Sequence, residues 1–174
     1  MTGHIHFGGM KMIRKILAFS LVLVLVGMGS MAVLAQTHKD STQLFRVPIT
    51  KETGQWKVVL GDVEKYESKM AKPQKGVYDM YSLNVTNIGK RVYNVKIEGF
   101  RNEPNSVTKH GLFKMEVPKE LRDVKDVSKY EHGHEFLQNN FPVSVNANEI
   151  EVVITWKEDI KGRDYKQTLY FIKK

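Results

Sequence analysis

The chain has 174 residues and no cysteine, so it can form no disulfide, thiolate metal site, nucleophilic thiol or lipobox anchor, and its stability must come from hydrophobic burial. Its 27 Lys and Arg exceed its 19 Asp and Glu, but Lys11, Arg14 and Lys15 lie in an acid-free N-terminal segment, which leaves 24 basic against 19 acidic side chains after residue 35. That balance of +5 is mild and argues against a nucleic-acid binder.

Residues 1–35 read as an export signal. Lys11, Arg14 and Lys15 precede an apolar run from Ile16 to Val26, and Val33-Leu34-Ala35 presents small side chains where a signal peptidase reads. Cleavage is expected between Ala35 and Gln36. The competing reading is a permanent anchor, because Ile13 to Ala35 is long enough for a bilayer core of about 30 Å. Gly27, Gly29 and the small-residue exit favour cleavage. Met10-Lys11-Met12-Ile13-Arg14-Lys15 is a more natural start than Met1, so translation is expected to begin at Met10 or Met12, and His4 and His6 are expected to carry no function. An export leader on a cysteine-free chain suits a Gram-positive bacterium better than an animal secretory pathway.

Residues 36–43 are polar and aperiodic and read as a flexible linker, so a single domain is expected over 44–174. Leu44 to Ile49 contains Pro48 and suits an edge strand. Trp56 to Val63 follows the Thr53-Gly54 turn with Trp56, Val58 and Leu60 on one face. Two alternating runs then flank Asn87-Ile88-Gly89-Lys90: Val77, Tyr81, Leu83 and Val85 upstream, Tyr93, Val95 and Ile97 downstream. They form either a hairpin or a tight corner between strands.

Leu112 to Val117 and Phe141 to Val145 are short strands bounded by Pro118 and Pro142. Between them, Leu121, Val124 and Val127 recur every three residues, which predicts one or two short helical turns in a crossover between sheets. The last pair is the plainest hairpin: Ile150, Val152, Ile154 and Trp156 alternate, a polar turn runs from Lys157 to Arg163, and Tyr165, Leu169 and Phe171 alternate again. About seven to eight strands without a long amphipathic helix predict an all-β, immunoglobulin-like antiparallel β-sandwich, with a closed barrel as the alternative.

The string Tyr81-Ser82-Leu83-Asn84-Val85-Thr86-Asn87-Ile88-Gly89-Lys90, followed by Val95-Lys96-Ile97, resembles the strand, Asn-x-Gly-Lys, strand segment of bacterial secreted immunoglobulin-like domains. The resemblance covers under a fifth of the mature chain. It implies a β-sandwich at the cell surface that serves as an accessory or binding module, and it transfers no active-site residue.

Glu131-His132-Gly133-His134-Glu135 is the most site-like stretch, since imidazoles and carboxylates are ligands for zinc or copper. In an extended segment His132 and His134 would project to one side, with His110, or Met115 for copper, as a third ligand. The alternative is a solvated loop with incidental histidines. His134-Glu135-Phe136-Leu137-Gln138 misses the zinc-protease motif because Gln138 stands where the second histidine must be. There is no Gly-x-Ser-x-Gly elbow and no glycine-rich phosphate loop, and the carboxylates are scattered.

The stretches Lys65 to Lys75 and Lys166 to Lys174 are candidates for contact with an anionic surface, or are simply solvated lysines that keep strand edges apart. Trp56 and Trp156 fit core-facing registers better than a sugar platform. The Asn84-Val85-Thr86 sequon falls within an expected strand of a bacterial chain and carries no weight. The expected function is a non-enzymatic, secreted or wall-associated module that binds protein or an anionic cell-wall polymer, with contact to the membrane only through an uncleaved leader. An extracellular metal-binding protein using His132, His134 and His110 is the alternative.

Overall fold

The computed structural model describes residues 44–63 and 66–174. The expected leader, its cleavage site and the linker lie outside the described residues. Nine strands follow in order: β1 (Ile49–Glu52), β2 (Trp56–Asp62), β3 (Tyr78–Asn87), β4 (Val92–Asn102), β5 (His110–Glu116), β6 (Lys129–Tyr130), β7 (Glu135–Ser144), β8 (Glu149–Lys157) and β9 (Asp164–Ile172). They form two antiparallel sheets, β1-β2-β3-β7 and β5-β4-β8-β9, with β6 added to the start of β4. Among the described residues the one helical element is a 3-10 turn, Lys119–Leu121.

Alternation decides which faces meet. Trp56, Val58 and Leu60 of β2 and Tyr81, Leu83 and Val85 of β3 are fully buried, as are Ile97 of β4 and Ile150, Val152 and Ile154 of β8. They form one core cluster to which both sheets contribute. Each such aliphatic side chain contributes about 1.5–3 kcal/mol relative to exposure. Toward its Asn87 end the rings of Trp56 and Trp156 meet edge to face, with centroids 5.6 Å apart, so both tryptophans are core residues as their registers predicted. Phe113 reaches inward from β5 to within 4.9 Å of the Phe141 ring, passing over Gly99, where a Cβ would collide with it. Gly99 is what lets that bridge between the sheets close.

The C-terminal pair forms the expected hairpin, in unbroken register from Glu149↔Ile172 to Lys157↔Asp164. Several other expectations need correction. The first edge strand begins at Ile49 rather than Leu44; Leu44 and Phe45 are buried outside any strand, with the Phe45 N–H donating to Tyr81 Oη (3.1 Å) and the Leu44 N–H to Asp79 Oδ2 (3.1 Å). Burial pushes the Tyr81 hydroxyl up to about 12, so it remains a neutral phenol in this role.

Val77 does not share the buried face of Tyr81. It is 47% exposed, because the chain turns at Gly76 (φ +77) and β3 starts only at Tyr78. The runs around Asn87–Lys90 form a corner and not a hairpin, since β3 and β4 belong to different sheets. β7 starts at Glu135, earlier than expected. The segment with the three-residue spacing is not the crossover: it joins β5 to β6, both paired with β4, the chain changes sheet only after β6, at 131–134, and Leu121, Val124 and Val127 are exposed.

Candidate functional site

The histidine stretch sits where three connections converge on Asn87, which is fully buried. Its Nδ2 donates to the carbonyls of Lys90 (2.9 Å), Glu131 (3.1 Å) and Tyr130 (3.3 Å). Its Oδ1 accepts from Gln55 Nε2 (2.6 Å) and the Gly89 N–H (3.1 Å). Its own N–H donates to His134 O (2.9 Å), and its carbonyl accepts from the Gly133 N–H (2.7 Å). One amide therefore ties the 53–56 turn, the corner and the 131–134 turn together. Outside, Arg91 Nε donates to both carboxylate oxygens of Glu131 (2.8 and 2.9 Å), and this holds the Glu131 carboxyl below the usual carboxylate range.

This geometry redirects the two histidines. The segment is a turn rather than an extended strand: the His134 N–H donates to Glu131 O (3.2 Å), and Gly133 takes φ +82, which a side chain rarely adopts. His132 Nδ1 lies 3.3 Å from Gly89 O, while the His134 ring packs against Tyr130 and Phe136 with both centroids at 4.7 Å. His110 is remote. It pairs with Arg101, whereas Tyr130 pairs with Val92, and nine residues of β4 span about 30 Å. Met115 pairs with Ile97, in the middle of the same strand, and packs against the core. The structure thus keeps His132 and His134 at one corner and brings neither His110 nor Met115 to them. Among the described residues no three His, Asp or Glu side chains are grouped so as to hold a metal.

On the outer face of the β5-β4-β8-β9 sheet, a groove of about 670 Å3 is lined by Lys96, Lys114, Arg122 and Lys157 among others. Four of its cations have partners: Lys96 with Glu98 (2.8 Å), Lys114 and Arg122 with Glu116 (2.6 and 2.8 Å), and Lys157 with Asp164 (4.0 Å), while Lys119 on the rim makes no ion pair among the described residues. Lys114 in particular holds the Glu116 carboxyl below its ordinary value. Most of the positive charge in this groove is therefore matched by a nearby carboxylate.

The opposite end from Asn87 is different. The turn at 145–148 is flanked on one side by the loop before β3, through the Val145 N–H to Val77 O (3.0 Å), and on the other by the C-terminus, through the Lys173 N–H to Asn148 O (2.9 Å). The two basic stretches, far apart in sequence, therefore reach the same end. Lys69, Lys72, Lys75 and Lys173 are exposed there, and among the described residues none of them forms an ion pair. Lys65 lies outside the described residues. No local pattern joins these lysines, since the junction is made by backbone hydrogen bonds through a third segment.

Residues 40–174 match the family model for YozF-like secreted proteins. The chain belongs to this family. A relative from Bacillus subtilis (strain 168), the uncharacterized protein YozF, is 34% identical over 130 residues, covering 72% of this chain and 78% of the relative. The family is described as secreted, which agrees with the extracytoplasmic location expected from the leader, and the family match runs through every described strand.

Proposed function

We propose that this member of the YozF-like family is a non-enzymatic binding module of immunoglobulin-like build, held at the cell surface by an anionic wall polymer. The build is supported by strand order. β2-β3-β7 facing β5-β4-β8-β9 corresponds to strands A-B-E facing C′-C-F-G of immunoglobulin-type sandwiches, and the corner after Asn87 is the B-to-C crossing between sheets. Binding is supported by a single observation: Lys69, Lys72, Lys75 and Lys173, on two segments joined to one turn, have no carboxylate partners among the described residues, while four of the five cations lining the outer-face groove are paired. Clustered, unneutralised ammonium groups attract a polyanion over roughly a Debye length and need no shaped pocket.

The test is retention of the secreted protein, purified from culture medium, on immobilised poly(glycerol phosphate). Release is expected as salt rises from about 0.1 M to about 1 M, over which the screening length falls from about 10 Å to about 3 Å. The quadruple variant Lys69→Gln, Lys72→Gln, Lys75→Gln, Lys173→Gln is expected to flow through. Retention of that variant equal to the parent, or retention indifferent to salt, would overturn the reading.

A further inference from the structure

Each sheet ends in two edge strands, and three of the four edges are blunted. β1 is four residues long and follows Pro48, which has no N–H. β7 carries Pro142, a register shift against β3 and Asn140 at φ +61. β5 is interrupted by a register shift at Gly99/Phe100. The exception is β9. It has nine residues, pairs with β8 alone, and shows no register shift, proline or positive φ. Half of its backbone N–H and C=O groups face away from β8, in the alternation that a further antiparallel strand would meet.

The surroundings of that edge specify a partner. Between β9 and β1 lies a groove of about 560 Å3, lined by Arg46, Lys51 and Lys174 with Ile49, Phe171 and Ile172, and no acidic side chain lines it. Among the described residues Arg46 and Lys174 make no ion pair, and the Lys51 ammonium sits 5.9 Å from the Phe171 ring centroid. On the outer side of β9, Tyr170 and Ile172 remain 44% and 62% exposed, and Lys166 projects from the same side of the strand. The edge thus offers donors and acceptors in alternation, apolar contact, and positive charge. A glycerol phosphate polymer has hydroxyl donors but no N–H and C=O groups alternating at strand spacing, and would not match the β9 edge. An extended peptide supplies both in that alternation.

We infer that the free edge of β9 is a strand-addition site for an extended acidic peptide segment of a partner protein, with Arg46, Lys51 and Lys174 selecting the charge. Main-chain hydrogen bonds supply affinity in this mode, and the side chains beside the edge supply specificity. The site shares no residue with the lysines assigned to the wall polymer, although the two adjoin at Lys173 and Lys174, so one end would hold the module while the neighbouring edge takes its partner.

The experiment uses the secreted protein from culture medium, ¹⁵N-labelled, titrated with the capped hexapeptide Asp-Val-Asp-Val-Asp-Val, its Lys-Val counterpart, and poly(glycerol phosphate). The acidic peptide is expected to shift the amides of residues 164–172 and to slow hydrogen exchange of the β9 amides that face away from β8. The lysine peptide should do neither. Reversing Lys51 and Lys174 together to Glu is expected to weaken the acidic peptide about tenfold, as two exposed charge contacts allow. Because that variant also changes the groove, Tyr170→Asp, on an exposed position, serves as an independent block and should weaken the acidic peptide without altering the thermal midpoint by more than a few degrees. Equal binding of both peptides, shifts without exchange protection, or matching protection by poly(glycerol phosphate) would overturn the inference. Loss of polymer retention in the Lys69, Lys72, Lys75 and Lys173 variant, with peptide binding intact, would show that the two sites fail separately.

Discussion

The two ends of this domain treat polar groups in opposite ways. At the Asn87 end, a buried amide satisfies five hydrogen bonds and Arg91 is matched to Glu131, so polarity is turned inward to fix three connections against one another. At the 145–148 end, backbone hydrogen bonds hold the segments and the lysines are left to solvent. The first arrangement stabilises the fold; the second leaves charge available to a partner. A histidine-rich stretch drew attention to the first end on composition, but its groups are already engaged there, while the plain lysines of the second are not.

The comparison can be broken most forcefully at Asn87. Asn87→Ala leaves the carbonyls of Lys90, Tyr130 and Glu131 and the Gln55 amide without their shared partner, and the expected cost is about 3 kcal/mol, read as a lower urea midpoint. Unchanged stability would mean that the three connections hold without it. Next in size is Gly89→Ala. A Cβ there collides with the Gln55 side-chain amide, which is itself fixed by bonds to Asn87 Oδ1 (2.6 Å) and Lys90 O (2.8 Å), so a loss of about 1–2 kcal/mol is expected from equilibrium unfolding.

At the other end, replacing Lys69, Lys72, Lys75 and Lys173 with Gln should move stability by no more than about 0.5 kcal/mol while removing polymer retention. A large destabilisation would show that those lysines have a structural role after all. The smallest effect concerns pH. The Glu131 carboxyl is held below its ordinary value by Arg91, so this pair contributes stability above the unfolded carboxylate range and loses it as pH falls through the lower folded value. Both partners are about half exposed, so the readout is local: the Arg91 Nε–H resonance should lose its hydrogen-bonded shift only below the ordinary carboxylate range, with little change in the global melt.

Much of this was legible in particular residues. Trp56, Val58 and Leu60 announced β2, and the alternation from Ile150 to Phe171 announced the last hairpin, because burial of one sheet face imposes a period of two that the side chains must obey. The Asn-x-Gly-Lys segment was recognised as a turn between strands, yet whether it closed a hairpin or crossed between sheets depended on which strands each run would pair with, and no local pattern carries that. Val77 departs from the alternation because it belongs to the turn that includes Gly76, one residue ahead of the strand that begins at Tyr78. Leu44 and Phe45 were read as a strand from their apolarity, although they are buried without pairing.

The candidate site was less legible, for a related reason. His132, His134 and His110 could be named as ligand types, but a positive φ at Gly133 and about 30 Å of β4 decide that they do not converge. Arg46 and Lys51 carry no sequence signal beyond their place just before and within the first edge strand. By itself the sequence determined the strand periodicity, the core side chains and an exported chain whose stability rests on burial, since those follow from local chemistry and composition. The tertiary structure alone decided that residues 65–75 and 166–174 share an end, that β9 keeps a free edge and that Asn87 is buried under three connections, because each depends on pairing between segments distant along the chain.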